Sequence, residues 1–238
     1  MNLEALNKYF VYNYVPTPSS IFENVYKLGP ATLLTWKDGK MSKRKFWTPS
    51  GSESKIGFRE AVARLGEEIE RSTKARLISD VPLGVFLSGG IDSSTVAYYA
   101  QKNSMEKVKT FSVGFTEDSF DESGHAKRVA DFLGTAHYNL MLRQSDSLEL
   151  IPDALRMMDE PLADASFVPT LLLSRFTKKY VTVALGGDGG DELFAGYPTF
   201  QAQIFANFYK KIPLVLRKSI VEKIILGMPV SDHYFSLD

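Results

Sequence analysis

The sequence predicts an α/β fold, in which a parallel sheet is covered by helices on both faces and preceded by a small β-rich segment. Two observations predict it. Four short stretches, LGVFL (83–87), VKTFSVGF (108–115), AHYNLML (136–142) and YVTVALG (180–186), are close to continuously apolar, the texture of strands buried on both sides. Segments long enough for helices follow them, at 93–102, 121–133, 145–158, 167–178 and from 198 onward, and this alternation is that of βαβ units. Ligands in such sheets sit at the carboxyl ends of the strands.

The first 50 residues differ in texture. VPTPSS, KLGP, WKDGK and WTPSG punctuate aromatic and β-branched stretches, and ATLLTWKDGKMSKRKFW reads as a hairpin turning at Asp38-Gly39, a dipeptide suited to positive φ. A boundary is expected at 48–55, where Thr, Pro, Ser and Gly cluster. FREAVARLGEEIERSTKARL then sets Phe58, Val62, Leu65 and Ile69 at helical spacing, with charges opposite. Further on, Asp121 and Glu122 read as an N-cap and a first-turn acid, favourable against the helix dipole. His137 reads as the opening of a strand, having no metal-like partners beside it. Asp159, Glu160 and Asp164 read as an acidic turn, with Ser166 capping the next helix. The stretch FQAQIFANFYKKIPLVLRKSIVEKII reads as helical and packed on the domain. It runs to HYFSLD without a terminating signal, so a domain cut short is the expectation.

The 238 residues are 44% hydrophobic and 24% charged, ordinary for a soluble globular protein and enough to bury a core. Lys plus Arg and Asp plus Glu number 28 each, so the charge balance points to neither nucleic acid nor a membrane surface. With no cysteine, this chain has no disulfide, thiolate metal site or cysteine nucleophile. The amino terminus lacks an apolar signal core and no run of about 18 apolar residues occurs, so a cytoplasmic protein is expected.

Chemistry concentrates at three strand ends. After LGVFL comes Ser88-Gly89-Gly90-Ile91-Asp92-Ser93-Ser94. A Gly-rich turn entering a helix is an anion site, because amides left over at the helix start point outward. Gly89 and Gly90 allow close approach and positive φ, while Ser88, Ser93 and Ser94 add hydroxyl donors. A Walker loop needs a Lys on the β and γ phosphates; this loop has none, which excludes γ transfer by that device. Asp92 beside an anion implies an intervening Mg²⁺. At the second strand end, Val113 and Gly114 are placed to line an adenine slot. At the third, Gly186, Gly187, Gly189 and Gly190 bracket Asp188, and Asp191 and Glu192 follow. Carboxylates three residues apart on a loop with little bulk suit a nucleotide with Mg²⁺, and Asp-x-x-Asp lacks the alternating spacing of an EF-hand.

SGG, a hydrophobic residue and DSS after an apolar strand resemble the PP-loop of ATP pyrophosphatases, which transfer AMP and release PPi. FLSGGIDSS, FSVGF with the DES and LGT that follow, DEPLADAS and GGDGGDELFAGY, in this order, resemble the synthetase domain of glutamine-dependent asparagine synthetases over roughly residues 20 to 205. VPTPSSIFENVYKLGPATLLTWKDGK is similar to the stretch where that family's glutaminase domain leads into the synthetase domain. The resemblance implies an adenine nucleotide α-hydrolase-like fold, with 1–50 a β-rich remnant or linker of a glutaminase domain and 51–238 the synthetase domain.

It also implies that ATP and aspartate give β-aspartyl-AMP and PPi, after which ammonia from a glutaminase domain or partner displaces AMP. Ser88, Gly89, Gly90, Asp92, Ser93 and Ser94 would cradle PPi, and Asp92 with Asp191 would hold Mg²⁺. Phe86, Leu87 and Val113 would contact adenosine, with Gly186 and Gly187 beside the nucleotide. Asp188 matches a position where members use an acid, often Glu, in forming and consuming the intermediate; Asp188 is one methylene shorter. The family's late catalytic Lys has no match before Asp238. Two other readings stay open: a relative that adenylates a different carboxylate, and a nucleotide-binding module without turnover. An apolar face on residues 1–45 is expected to mediate association, including formation of a homo-oligomer.

Overall fold

The structure is a computed structural model that describes residues 1–49, 51, 55–116, 121–214 and 217. It divides into two compact units, one ending at Gly187 and one beginning at Asp188.

The first unit opens with a helix that the aromatic texture of the segment had concealed, α1 (Leu3–Tyr12). The Asn2 side chain caps it by accepting from the Ala5 amide at 3.1 Å, and Asn13, at φ 63°, closes it. Ala5, Val15 and Ile21 form a small core beneath it. Lys27 donates to the Val15 carbonyl and pairs with Glu160, and the Ala163 amide donates to the Asn13 carbonyl at 2.8 Å. Glu160 is therefore a tether between chain segments, not part of a merely solvated turn.

Strands β1 (Thr32–Lys37) and β2 (Lys40–Lys45) form the predicted hairpin, with Asp38 at φ 50° and Gly39 at φ 73°. Helix α2 (Phe58–Arg76) has the predicted period, yet Phe58 and Val62 stay exposed. Periodicity sets a helix's apolar face but not what covers it. The boundary expected at 48–55 lies partly outside the described residues.

The main sheet is parallel, in the order β5-β4-β3-β6, built from β3 (Leu83–Phe86), β4 (Lys109–Phe115), β5 (Ala136–Leu142) and β6 (Val183–Leu185). The path steps outward from β3 to β5 and then returns to β6. Right-handed crossovers then put α3 (Ile91–Lys102) and α4 (Ser123–Leu133) on one face and α5 (Gln144–Met157) and α6 (Phe167–Thr177) on the other. Packing agrees. Val85 and Leu87 meet Ala97, Ala100, Ala126 and Ala130, small residues that let α3 and α4 sit close. The Phe111 ring lies 6.2 Å from Phe176 of α6 and stacks on Tyr138 at 5.4 Å. The predicted fold class is the observed one.

Element ends differ from expectation for identifiable reasons. α3 starts at Ile91, because Gly90 takes the N-cap position and draws Asp92 and Ser93 into the first turn. β6 is shorter than 180–186, since the Tyr180 and Val181 amides donate back to the Thr177 carbonyl. α4 starts at Ser123, so Asp121 and Glu122 are not N-cap and first-turn acid; Glu122 holds the N-cap position without a side-chain bond. Ser166 also stands at an N-cap without capping, and its amide instead donates to Asp164 Oδ1 at 2.8 Å.

The second unit contains α7 (Gly190–Phe194) and α8 (Pro198–Lys211). Asp191 and Glu192 thus sit on a short helix and not on the expected loop. Most of the apolar tail beyond α8 lies outside the described residues.

Candidate functional site

The site begins where β3 ends. The Leu87 amide donates to the Phe111 carbonyl at 2.8 Å and its side chain fills the core, so the chain turns away from the sheet only at Ser88. Gly89 is held at φ 90°, and a Cβ there would lie 2.7 Å from both the Ala126 nitrogen and the His125 carbonyl carbon, so two constraints require glycine. The Ser88 and Ser93 hydroxyls are 2.9 Å apart, the Ser88 amide donates to Ser93 Oγ at 3.2 Å, and the Gly90 amide donates to Ser88 Oγ at 3.3 Å. These bonds lock the loop onto the helix it opens.

Donors are left over at that helix start. No side chain caps α3, so the amides of its first turn lack the usual internal acceptor. The Ser94 hydroxyl is buried and has no hydrogen-bond partner, an unusual state for a buried polar group. Gly187, beyond the end of the neighbouring β6, comes against the same turn: a Cβ on it would lie 2.7 Å from the Ser93 nitrogen and 3.0 Å from Asp92 Cβ. The fold therefore brings Ser88–Ser94 and Gly187 together, with Gly186 adjoining. Phe86 and Val113 are half-buried, and strand alternation sets them on the face opposite to Leu87.

At the end of β4, Gly114 leaves room for Met141 and Asp121; a Cβ there would lie 2.8 Å from Asp121 Oδ1. Asp121 accepts from the Ser123 amide at 3.0 Å, the Ser123 hydroxyl at 2.9 Å and the Phe115 amide at 3.3 Å. The Ser123 bonds, the amide foremost, hold its carboxyl below the ordinary range. Asp121 is thus an anchor fixing the start of α4 to the end of β4.

His137 is the second residue of β5, as the sequence suggests, and it belongs to a polar ladder on the α4 face. Its Nδ1 lies 3.0 Å from Thr110 Oγ1 and its Nε2 3.2 Å from Ser112 Oγ, while Ser112 donates to Asn139 at 2.8 Å. Burial pushes its imidazole below its ordinary value, Lys127 adds to that effect, and Asp131 opposes it. The signal in the sequence is the alternation of Thr110, Ser112 and His137, Asn139 within otherwise apolar strands.

In the second unit Asp188 is exposed and Asp191 half-buried. The Gly196 amide donates to the Asp191 carbonyl at 3.0 Å, and a Cβ on Gly196 would collide with the Asp191 carboxylate. The Tyr197 hydroxyl donates to Glu192 Oε1 at 2.6 Å, which lowers the Glu192 carboxyl and pushes the phenol up to about 12. No periodic rule links positions 192 and 197; the αL turn at Ala195, φ 56°, brings them together.

Among the described residues no group of three His, Asp or Glu side chains is placed to hold a metal, and no helix is long and apolar enough to cross a membrane. Mg²⁺ beside a nucleotide needs only one or two carboxylates plus phosphate oxygens, and Asp92, in the first turn of α3, fits that donor set.

A family model described as asparagine synthase matches residues 64–230. A Methanocaldococcus jannaschii protein assigned as a second glutamine-hydrolysing asparagine synthetase is 36% identical over 220 residues, covering 91% of this chain and 42% of its own length. The glutamine-hydrolysing asparagine synthetase 1 of Bacillus subtilis is 33% identical over 219 residues, covering 92% of this chain and 34% of its own length. The chain spans less than half the length of both. Among solved structures, a glutamine-dependent NAD⁺ synthetase from Acinetobacter baumannii in complex with ADP matches with a TM-score of 0.43 at 21% identity, covering 65% of this chain and 30% of that one.

Proposed function

Because this chain belongs to the asparagine synthase family, we propose that it carries the ATP-dependent, amide-forming half of such an enzyme. In the first step a side-chain carboxylate oxygen of aspartate attacks the α-phosphorus of ATP and the bond to pyrophosphate breaks, giving β-aspartyl-AMP. In the second, ammonia from a glutaminase domain or partner attacks the acyl carbon, the bond to AMP breaks and a proton is released.

Ser88, Gly89, Gly90, Asp92, Ser93 and Ser94 receive the pyrophosphate arm through amides and hydroxyls, stabilising charge without reorganisation. Phe86 and Val113 contact adenosine through apolar surface and Leu87 through its backbone, since its side chain is buried in the core, and Gly186 and Gly187 leave room beside it. Asp92 and Asp191 would hold Mg²⁺, which supplies neutralisation of the charge between carboxylate and phosphates. Asp188 serves as the acid in forming and consuming the intermediate. We further read residues 1–50 as a junction with a glutaminase domain, 51–238 as the synthetase domain, the location as cytoplasmic, and the exposed Phe10, Tyr26 and Trp36 as surface for association, including a homo-oligomer.

The observation that carries this reading is the buried, unpartnered Ser94 hydroxyl at the uncapped start of α3. ATP–pyrophosphate exchange by the full chain, run across a panel of carboxylic acids, tests it; exchange that requires aspartate is the expected result. The shorter acid at Asp188 favours a second reading, in which a different carboxylate is adenylated. Exchange with another acid but not aspartate would establish that second reading. Nucleotide binding without exchange would reduce the chain to a binding module.

A further inference from the structure

The phosphate loop contains no Lys or Arg, so every donor it offers is neutral, and Asp92 adds a negative charge. ATP brings several more. The first turn of α4 touches the loop at Gly89, whose Cβ position lies 2.8 Å from His125 Cβ as well as 2.7 Å from the Ala126 nitrogen. The crossover from β4 puts this turn at the carboxyl edge of the sheet, where the loop also lies.

Two exposed side chains stand there, His125 and, one turn on, Arg128, with Arg128 Nη2 2.9 Å from His125 Nδ1. A guanidinium only donates, so Nδ1 is the acceptor and the imidazole proton resides on Nε2. Among the described residues no carboxylate pairs with Arg128, whereas neighbouring Lys127 is held by Asp131 at 3.1 Å. The pair therefore presents donors only: the Nε2–H and the remaining guanidinium N–H groups. That array suits the non-bridging oxygens of a polyphosphate, which accept from several donors at once.

We infer that His125 and Arg128 form a side-chain wall of the polyphosphate site, binding the pyrophosphate arm of ATP opposite the neutral donors of the loop. The inference rests on the proposed nucleotide reading and adds to it the cationic contact that the loop itself does not contain. Arg128 contacts the phosphates, and His125 both orients it and donates through Nε2.

Calorimetric titration of the full chain with Mg·ATP and with AMP tests this, because AMP lacks the pyrophosphate arm. Arg128→Ala is expected to weaken Mg·ATP binding roughly tenfold, the effect of one charged hydrogen-bonding group, and to leave AMP binding unchanged. Arg128→Lys recovers part of the loss, and His125→Ala gives a smaller, ATP-selective loss. Unchanged Mg·ATP binding in Arg128→Ala, or equal loss for ATP and AMP, overturns the inference. If Ser94→Ala weakens ATP binding while Arg128→Ala does not, the loop reading stands and the wall is wrong. A wild-type chain that binds neither nucleotide sinks both.

Discussion

Gly187 rests on Ser93: a Cβ built at position 187 would lie 2.7 Å from the Ser93 amide nitrogen. The end of β6 and the start of α3 thus meet backbone to backbone, where neither side can yield cheaply. Gly187→Ala is expected to weaken Mg·ATP binding at least roughly tenfold and to cost about 1–3 kcal/mol of stability through overpacking. Gly124→Ala, at a helical position with open space around its would-be Cβ, serves as the control and should stabilise slightly with binding unchanged. Titration calorimetry and urea denaturation read the two effects separately.

Ser94→Ala separates stability from binding. Removing a buried hydroxyl that has no partner relieves a desolvation cost, so the folded state should be unchanged or more stable by about 1 kcal/mol. Affinity for Mg·ATP should nonetheless fall. Loss of both together would mean that the hydroxyl serves the fold.

Acid sensitivity should trace to His137. Burial lowers its folded-state value below the 6.5 of a free imidazole, so the unfolded chain takes up the proton first as pH falls. The stabilising contribution is therefore present above about pH 6.5 and is lost as pH drops through the lower, folded value. Thermal midpoints between pH 7.5 and 5 should decline more steeply for the wild type than for His137→Gln.

Ala195 sits at φ 56° and ψ 41°, a left-handed conformation that costs an L side chain energy and glycine little. Ala195→Gly should stabilise by about 0.5–1 kcal/mol net of the extra unfolded-state entropy. A shifted urea midpoint with an unchanged slope is the expected observation; a lower midpoint would mean the turn is not strained.

Tyr197 should ionise above the ordinary range of a phenol. Its phenol is raised to about 12 by its bond to Glu192, so ultraviolet difference titration of wild type against Tyr197→Phe should show one ionisation displaced upward from 10. Glu192→Gln should return it toward the ordinary range.

Much of this was legible from composition and order. The apolar runs located the main strands because both faces of the sheet are covered, and Asp38-Gly39 announced its hairpin through the φ it tolerates. The Ser-Gly-Gly turn at a strand end announced a tight loop opening a helix without knowledge of any neighbour. Other features were hidden. YFVY in α1 has strand-like texture, and the helix forms because Asn2 and Asn13 cap its ends. The ladder of Thr110, Ser112, His137 and Asn139 exists only once the register pairs Thr110 with His137 and Ser112 with Asn139. Ser166 occupied the position of a cap, but Asp164 took the amide.

The sequence alone determined what depends on neighbours in the chain: the period of α2, the turn residues, the strands, and a glycine loop opening a helix. Those properties follow from backbone sterics and side-chain patterning within a few residues. Only the tertiary structure decided that Gly187 would lie against Ser93 and that the first turn of α4, at His125 and Ala126, would touch Gly89. Such meetings depend on the strand order β5-β4-β3-β6 and the hand of the crossovers. Chain spacing does not encode them, because distant segments are joined by burial of shared apolar surface and not by local geometry.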